Sequence, residues 1–377
     1  MLPRDQWRFV TALLVIATVA MLPGCGGFFT PRDDSGNGGG TTARFAYVVN
    51  FNNGGSGTVS GFTVNQTNGS LTSTGQNITT GGAAADGPAA VLIVGGKFLY
   101  TANDGGSVSG FTIDNITGLL TTMSGSPFAA GFSPSALAAT PDGKFLYAAN
   151  TGGATITGYS INATTGVLSA LGEVPTSSGS AGLAVHPTGK FLYAAVDADG
   201  IDVFTINTTS GGLTLVRNVP PLLNGRPQAL AVDSSGRFLY AADGVSGVEF
   251  YTINQTTGDL TVGRSNPFAA GTGPVAITTD SAGKFIYVAN QDSNNISGYA
   301  ILSDGSLAAL SGSPYAIGGS DPSPIAIKMD TAEKFVYTTN FNGGVSIFTM
   351  DTATAGRLLT PPAAVSAGTN PAGIAFK

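Results

Sequence analysis

The chain alternates short apolar runs with turn residues and never settles into a helical period. Runs of four to seven residues rich in Val, Ile, Phe, Tyr and Leu are separated by Gly, Asn, Asp, Ser and Thr. That alternation predicts strands joined by tight turns. One run recurs. GKFLYAAN ends at Asn150, GKFLYTAN at Asn103, GRFLYAAD at Asp243 and GKFIYVAN at Asn290. Looser copies are ARFAYVVN, ending at Asn50, GKFLYAAV at Val196 and EKFVYTTN at Asn340. The tyrosines of these copies, Tyr47, Tyr100, Tyr147, Tyr193, Tyr240, Tyr287 and Tyr337, are spaced by 46 to 53 residues. A near-constant period of this length marks a repeat architecture.

Each repeat predicts four strands. The first follows a Pro register: Pro88, Pro134, Ser180, Pro227, Pro274, Pro324 and Pro371. A turn leads to the KFLY strand. The third strand holds an aromatic: Phe62, Phe111, Tyr159, Phe204, Tyr251, Tyr299 or Phe348. A loop of the NATTG type leads to the fourth, opened by Leu71, Leu120, Leu168, Leu213, Leu260, Leu307 or Leu358. Seven units of four strands predict an all-β, seven-bladed β-propeller. KFLYAA is apolar nearly throughout, as expected of a strand covered on both faces by neighbouring blades. The first repeat lacks its Pro-led strand, and the last seven residues, PAGIAFK, are that strand with nothing after it. The C-terminal strand is therefore expected to complete the N-terminal blade and close the ring. The lone Trp7 disfavours a WD40 propeller. The basic residue of each copy (Arg44, Lys97, Lys144, Lys190, Arg237, Lys284, Lys334) follows a turn and is expected to face water.

Composition changes the picture at the N-terminus. Arg4 and Arg8 precede an apolar run from Phe9 to Leu22, near the length of a signal-peptide core and short for a membrane span. Leu22-Pro23-Gly24-Cys25 resembles a bacterial lipobox, and Cys25 is the only cysteine. Residues 1–24 read as a signal, Cys25 as a lipid attachment point, and residues 25–42 as a Gly-rich tether reaching about 20–25 Å. The propeller then spans 43–377. The expected location is the bacterial cell envelope, lipid-anchored on the periplasmic or cell-surface side. Net charge is −6 and no basic cluster occurs, so nucleic acid is not an expected partner. One cysteine excludes an intrachain disulfide.

The units GFSPSALAATPDGKFLYAANTGGATITGYSINATTGVLSAL and GTGPVAITTDSAGKFIYVANQDSNNISGYAI resemble the lactonase seven-bladed propeller family, which includes 6-phosphogluconolactonases and carboxymuconate cyclases. The resemblance spans about residues 43–377. It implies a propeller whose channel mouth binds or hydrolyses a lactone. Family enzymes open some inner strands with Gly-Pro-Arg-His. Here the residue after the Pro register is Ala89, Ser135, Ala181, Gln228, Val275, Ile325 or Ala372, and the next is always Ala or Gly. Neither Arg nor His is present at these positions.

Lactone hydrolysis needs a base for water and a donor for the carbonyl oxyanion. His186 is the only His, and it fills the turn slot held elsewhere by Thr140, Asp233, Asp280 and Asp330. That position reads as a turn residue. Arg226 precedes an inner-strand Pro and is the only charge in its ring, with Gln228 nearby. It is a candidate for binding a carboxylate or phosphate. A second ring closes the KFLY strands: Asn50, Asn103, Asn150, Asp243, Asn290 and Asn340, with Val196 as the exception. These residues read either as turn chemistry or as ligand-facing polar groups. DADGID, from Asp197 to Asp202, lacks a full calcium loop and predicts a hairpin turn at Asp199-Gly200. The Asn-x-Thr/Ser triplets at Asn65, Asn115, Asn162, Asn207 and Asn254 read as loop chemistry at one repeat position. No metal and no cofactor are expected, and the protein is expected to be a monomer. The functional expectation is a divergent binding module of the cell envelope, contacting an envelope protein or glycan. The alternative is a lactone hydrolase acting on a sugar lactone at the channel mouth.

Overall fold

Strands covered on both faces need not alternate apolar and polar residues, and here they do not. FLYAAN, Phe145–Asn150, is buried at all six positions. So are Phe45–Asn50, Phe98–Asn103, Phe191–Val196, Phe238–Asp243 and Phe335–Asn340. In Phe285–Asn290 only the first residue is partly exposed. A computed structural model of the chain describes residues 45–51, 57–81, 87–223, 225–245, 247–319, 322–351, 356–359 and 364–377. The signal, Cys25 and tether of the sequence reading, and Arg44, lie outside the described residues.

These segments are the second strands of seven antiparallel sheets. From the centre outward, blade 2 runs Pro88–Val94, Phe98–Asn103, Ser107–Ile113 and Leu120–Thr122. Blade 3 runs Pro134–Ala139, Phe145–Asn150, Thr155–Ile161 and Leu168–Pro175. Blade 4 runs Ser180–Val185, Phe191–Val196, Gly200–Ile206 and Leu213–Val219. Blade 5 runs Pro227–Val232, Phe238–Asp243, Gly247–Ile253 and Leu260–Val262. Blade 6 runs Pro274–Thr279, Phe285–Asn290, Asn295–Ile301 and Leu307–Ala309. Blade 7 runs Pro324–Met329, Phe335–Asn340, Gly344–Asp351 and Arg357–Leu358. Blades 2 and 6 add a two-residue strand, Phe128–Ala129 and Tyr315–Ala316, against the third strand.

Blade 1 joins both ends of the chain. Its inner strand is Pro371–Phe376, followed outward by Phe45–Asn50, Thr58–Val64 and Leu71–Thr79. Tyr47 stands opposite Ala375, and Val48 opposite Ile374. Lys377 N–H donates to the Phe45 carbonyl at 2.9 Å, and Phe45 N–H returns a bond at 3.2 Å. The seven inner strands touch one another in ring order, with Pro371–Phe376 between Pro324–Met329 and Pro88–Val94.

The repeat motif explains how one blade seats on the next. The hydroxyls of Tyr47, Tyr100, Tyr147, Tyr193, Tyr240, Tyr287 and Tyr337 donate to the carbonyls of Gly118, Gly166, Gly211, Gly258, Gly305, Gly356 and Gly69, at 2.5 to 3.0 Å. Each bond runs to the loop before the outer strand of the following blade, and the last runs from blade 7 to blade 1. Every one of these glycines has a positive φ, and a Cβ on it would overlap the Phe ring of the preceding blade's KFLY copy. Only Gly meets both demands. Burial raises each of these phenols well above the ordinary tyrosine range, so they remain protonated donors.

In blades 1 to 5 the loops holding those glycines are Asx turns. Asn65, Asn162, Asn207 and Asn254 each accept two backbone N–H bonds from the residues two and three ahead. In blade 2 the equivalent acceptor is Asp114, not Asn115. Asn115 is therefore one residue out of the register that the sequence reading gave it. The described basic residues of the repeat, Lys97, Lys144, Lys190, Arg237, Lys284 and Lys334, are exposed as expected.

Candidate functional site at the channel mouth

The Pro-led ends of the inner strands, the ends of the second strands and the loops that cross between blades meet on one rim. The ring Asn residues lie beneath those loops. A Cβ on Gly131 would strike Asn150; on Gly271, Asn290; on Gly368, Asn50; and on Gly225, Asp243. Asn50, Asn103, Asn150, Asp243, Asn290 and Asn340 are all fully buried. Their amides donate sideways within the blade. Asn103 Nδ2 reaches Ser109 Oγ at 2.8 Å, Asn150 reaches Thr157 at 2.8 Å, Asn290 reaches Ser297 at 2.9 Å and Asn340 reaches Ser346 at 2.8 Å. The ring thus joins the second strand to the third, and its side chains lie inside the blades.

Blades 4 and 5 depart from this Asn–hydroxyl pairing. In blade 4 Val196 takes the ring position and Asp202 the hydroxyl position. Asp202 is fully buried and accepts from Ser177 N at 2.7 Å, Ser177 Oγ at 2.6 Å and Asn218 Nδ2 at 2.9 Å. In blade 5 both positions are acidic, Asp243 and Glu249, and both are fully buried. Glu249 accepts from the Tyr251 hydroxyl at 2.6 Å and from Leu222 N–H at 3.0 Å, while Asp243 accepts from Val245 N–H at 2.8 Å. The sequence reading missed this pair. The signal for it was the acid at residue 249, where Ser or Thr stands in five sister blades.

Arg226 follows Gly225 at the mouth and is exposed. Its Nε lies 3.7 Å from Asp197 Oδ1 of blade 4, with both side chains about half exposed. An ion pair so long and so wet contributes at most about 1 kcal/mol, leaving the guanidinium free to take another anion. Gln228 Nε2 donates to the Arg226 carbonyl at 3.2 Å. The structure therefore brings Arg226 and Gln228 together on one rim and adds Asp197. Similar polar links tie neighbouring blades around the mouth: Ser133 Oγ to Asp104, Thr151 Oγ1 to the Ser180 carbonyl at 2.8 Å, and Gln291 to Ser323 at 3.1 Å.

DADGID makes a hairpin, as expected, but its turn falls earlier than the sequence suggests. Asp197–Asp199 form a 3₁₀ turn and Gly200 begins the third strand, so three residues connect the strands where a turn at Asp199-Gly200 was expected. The Asp197 carboxylate faces Arg226 and the Asp202 carboxylate faces Ser177 and Asn218. Among the described residues no group of three or more His, Cys, Asp and Glu could hold a metal ion.

His186 lies on the opposite rim, buried in the turn after its inner strand. Thr188 N–H donates to Nδ1 at 3.2 Å, which leaves the proton on Nε2. Nε2 then donates to the Gly236 carbonyl at 2.9 Å and ties blade 4 to blade 5. Its counterparts accept the backbone N–H that opens the second strand: Thr140 from Phe145 at 3.1 Å and Asp233 from Phe238 at 2.7 Å. A cavity of about 140 Å³ between blades 3 and 4, lined by Thr140, Asp142, Phe145 and Thr188, is on this same rim.

The inner strands approach closely at the axis. A Cβ on Gly182 would sit 2.7 Å from the Gln228 carbonyl oxygen of the next blade. Arg226, on the loop before its inner strand, and Gln228, on that strand, are side chains presented at the mouth.

The profile described as "Lactonase, 7-bladed beta-propeller" matches residues 27–179 and 171–271. Similar solved structures include a candidate 6-phosphogluconolactonase from Bacteroides uniformis ATCC 8492, at TM-score 0.74 and 20% identity over 89% of this chain and 100% of that one. The periplasmic gluconolactonase of Pseudomonas aeruginosa aligns at TM-score 0.74 and 18% identity over 88% of this chain and 98% of that one. A candidate 6-phosphogluconolactonase from Bacteroides fragilis NCTC 9343 aligns at TM-score 0.71 and 21% identity over 91% and 100%. At these identities the likeness is one of fold. No curated protein matches the chain. The profile match covers more than half of the sequence, and the chain belongs to the lactonase seven-bladed β-propeller family.

Proposed function

We propose that the protein is a lipid-anchored binding module of the bacterial cell envelope whose Pro-led rim takes a carboxylate or phosphate group of an envelope glycan or protein on Arg226. The observation that carries this reading is the weakly tied guanidinium at the mouth, beside inner-strand positions of Ala, Gly, Ser, Gln, Val and Ile where hydrolysis would need a proton-transfer pair. Anchoring rests on Cys25. Replacing Cys25 with Ala should move the protein from the membrane to the soluble fraction, and retention on the membrane would contradict the anchor.

Family membership favours a second reading, hydrolysis of a sugar lactone at the same mouth. Base uptake by the purified protein against a panel of lactones separates the two. The binding reading expects no turnover, together with saturable capture of an acidic glycan or peptide that Arg226→Ala weakens roughly tenfold. Turnover abolished by Arg226→Ala would replace it with the hydrolase reading.

A further inference from the structure

The seven inner strands read PAAVLIV, PSALAA, SAGLAV, PQALAV, PVAITT, PIAIKM and PAGIAF. They contain one charged residue, Lys328. Strand register fixes its level. Lys328 stands opposite Tyr337, and the residues opposite the other six repeat tyrosines are Leu92, Ala138, Ala184, Ala231, Thr278 and Ala375. The sister blades are an internal control. The ring closes at this level six times without a charge, so packing does not demand one here.

Lys328 is exposed although its strand is packed between two neighbours. Both faces of the blade are covered, so the exposure is toward the central channel. Water reaches the side chain, yet protein surrounds it, and burial lowers its pKa from the ordinary lysine value. The two facts agree for a group in a narrow channel. Among the described residues its ammonium has no hydrogen bond or ion pair. An enclosed cation without a counter-charge is costly to keep. The residues at the same level in the sister strands are mostly small, which leaves room beside it. Four residues of strand place this level about 13 Å below the Pro-led mouth.

We propose that the central channel holds a binding site for a small oxyanion, the carboxylate or phosphate group of a small molecule, centred on Nζ of Lys328. The site is separate from Arg226 in sequence, in blade and in depth. It does not depend on whether the rim binds or hydrolyses.

The test is calorimetric titration of the full-length protein with inorganic phosphate and with gluconate, chloride serving as the control anion. Wild type and Arg226→Ala should bind one of the two oxyanions saturably, and the tighter one identifies the group. Lys328→Met, which keeps most of the stem without the charge, should bind it roughly 10- to 100-fold more weakly. Its melting temperature without anion should be equal to or above that of wild type. Lys328→Ala, the residue of four sister blades, guards against a variant that misfolds and should show the same loss. Absence of saturable binding by wild type, or undiminished binding by both Lys328 variants, would overturn the proposal. Binding lost in Arg226→Ala but kept in Lys328→Met would put the anion at the mouth and overturn it equally.

Discussion

At the scale of single residues, the KFLY motif makes two contacts with one distant glycine. The Phe ring occupies the space a Cβ would fill, and the Tyr hydroxyl caps the carbonyl of the same residue. Tyr147→Phe keeps the ring and leaves the buried Gly211 carbonyl without its donor. It should lower unfolding free energy by about 1–3 kcal/mol in denaturant titration. Gly211→Ala should cost more, since it adds an overlap with Phe145 to a left-handed φ of 76°. A smaller loss than Tyr147→Phe would contradict the seating described here. The sequence placed Tyr and Phe between blades. It did not reveal their partner, which lies 64 residues ahead of Tyr147, because nothing local in NTTSG distinguishes a turn glycine from a docking surface.

At the scale of the blade, the ring Asn is a joint between strands, and its second oxygen shows how well each joint is made. Thr101 Oγ1 donates to Asn103 Oδ1 at 2.9 Å and Thr338 Oγ1 to Asn340 Oδ1 at 3.0 Å. Two residues before Asn50, Asn150 and Asn290 stand Val48, Ala148 and Val288, and there Oδ1 is buried without a hydrogen-bond partner among the described residues. Val288→Thr preserves side-chain shape and supplies the missing donor. Burying a hydroxyl usually destabilises a core, but here it should raise the unfolding midpoint, with a gain of about 0.5–1.5 kcal/mol. A lowered midpoint would show that the Asn290 oxygen needs no donor. Strand number and order were legible from the Pro, Tyr, aromatic and Leu markers. The outer strands were not equally so. They run nine residues in blade 1 and two in blade 7, and the sequence marks where they begin better than where they end.

At the scale of the whole molecule, the seven sheets depend on one another because no blade covers its own faces. Seven Tyr–Gly bonds and seven inner-strand contacts form a circuit, and the circuit is complete only if the chain's last strand fills the first blade. Repetition made this fold readable and hid the functional differences. Arg226 was visible because it broke a ring the sequence could align. Lys328 was not, because its importance lies in six small or neutral residues brought level with it only by strand register. The acids of blade 5 escaped for the same reason, since their neighbours lie across a strand pair. The claim under all of this is closure of the ring, and native-state hydrogen exchange with mass spectrometry tests it most directly. The amides of 372–376 should be protected as strongly as those of 135–139, in the inner strand of a blade built from one continuous stretch. Fast exchange across 372–376 with protection intact at 135–139 would mean that the tail does not complete the first blade, and would contradict the account.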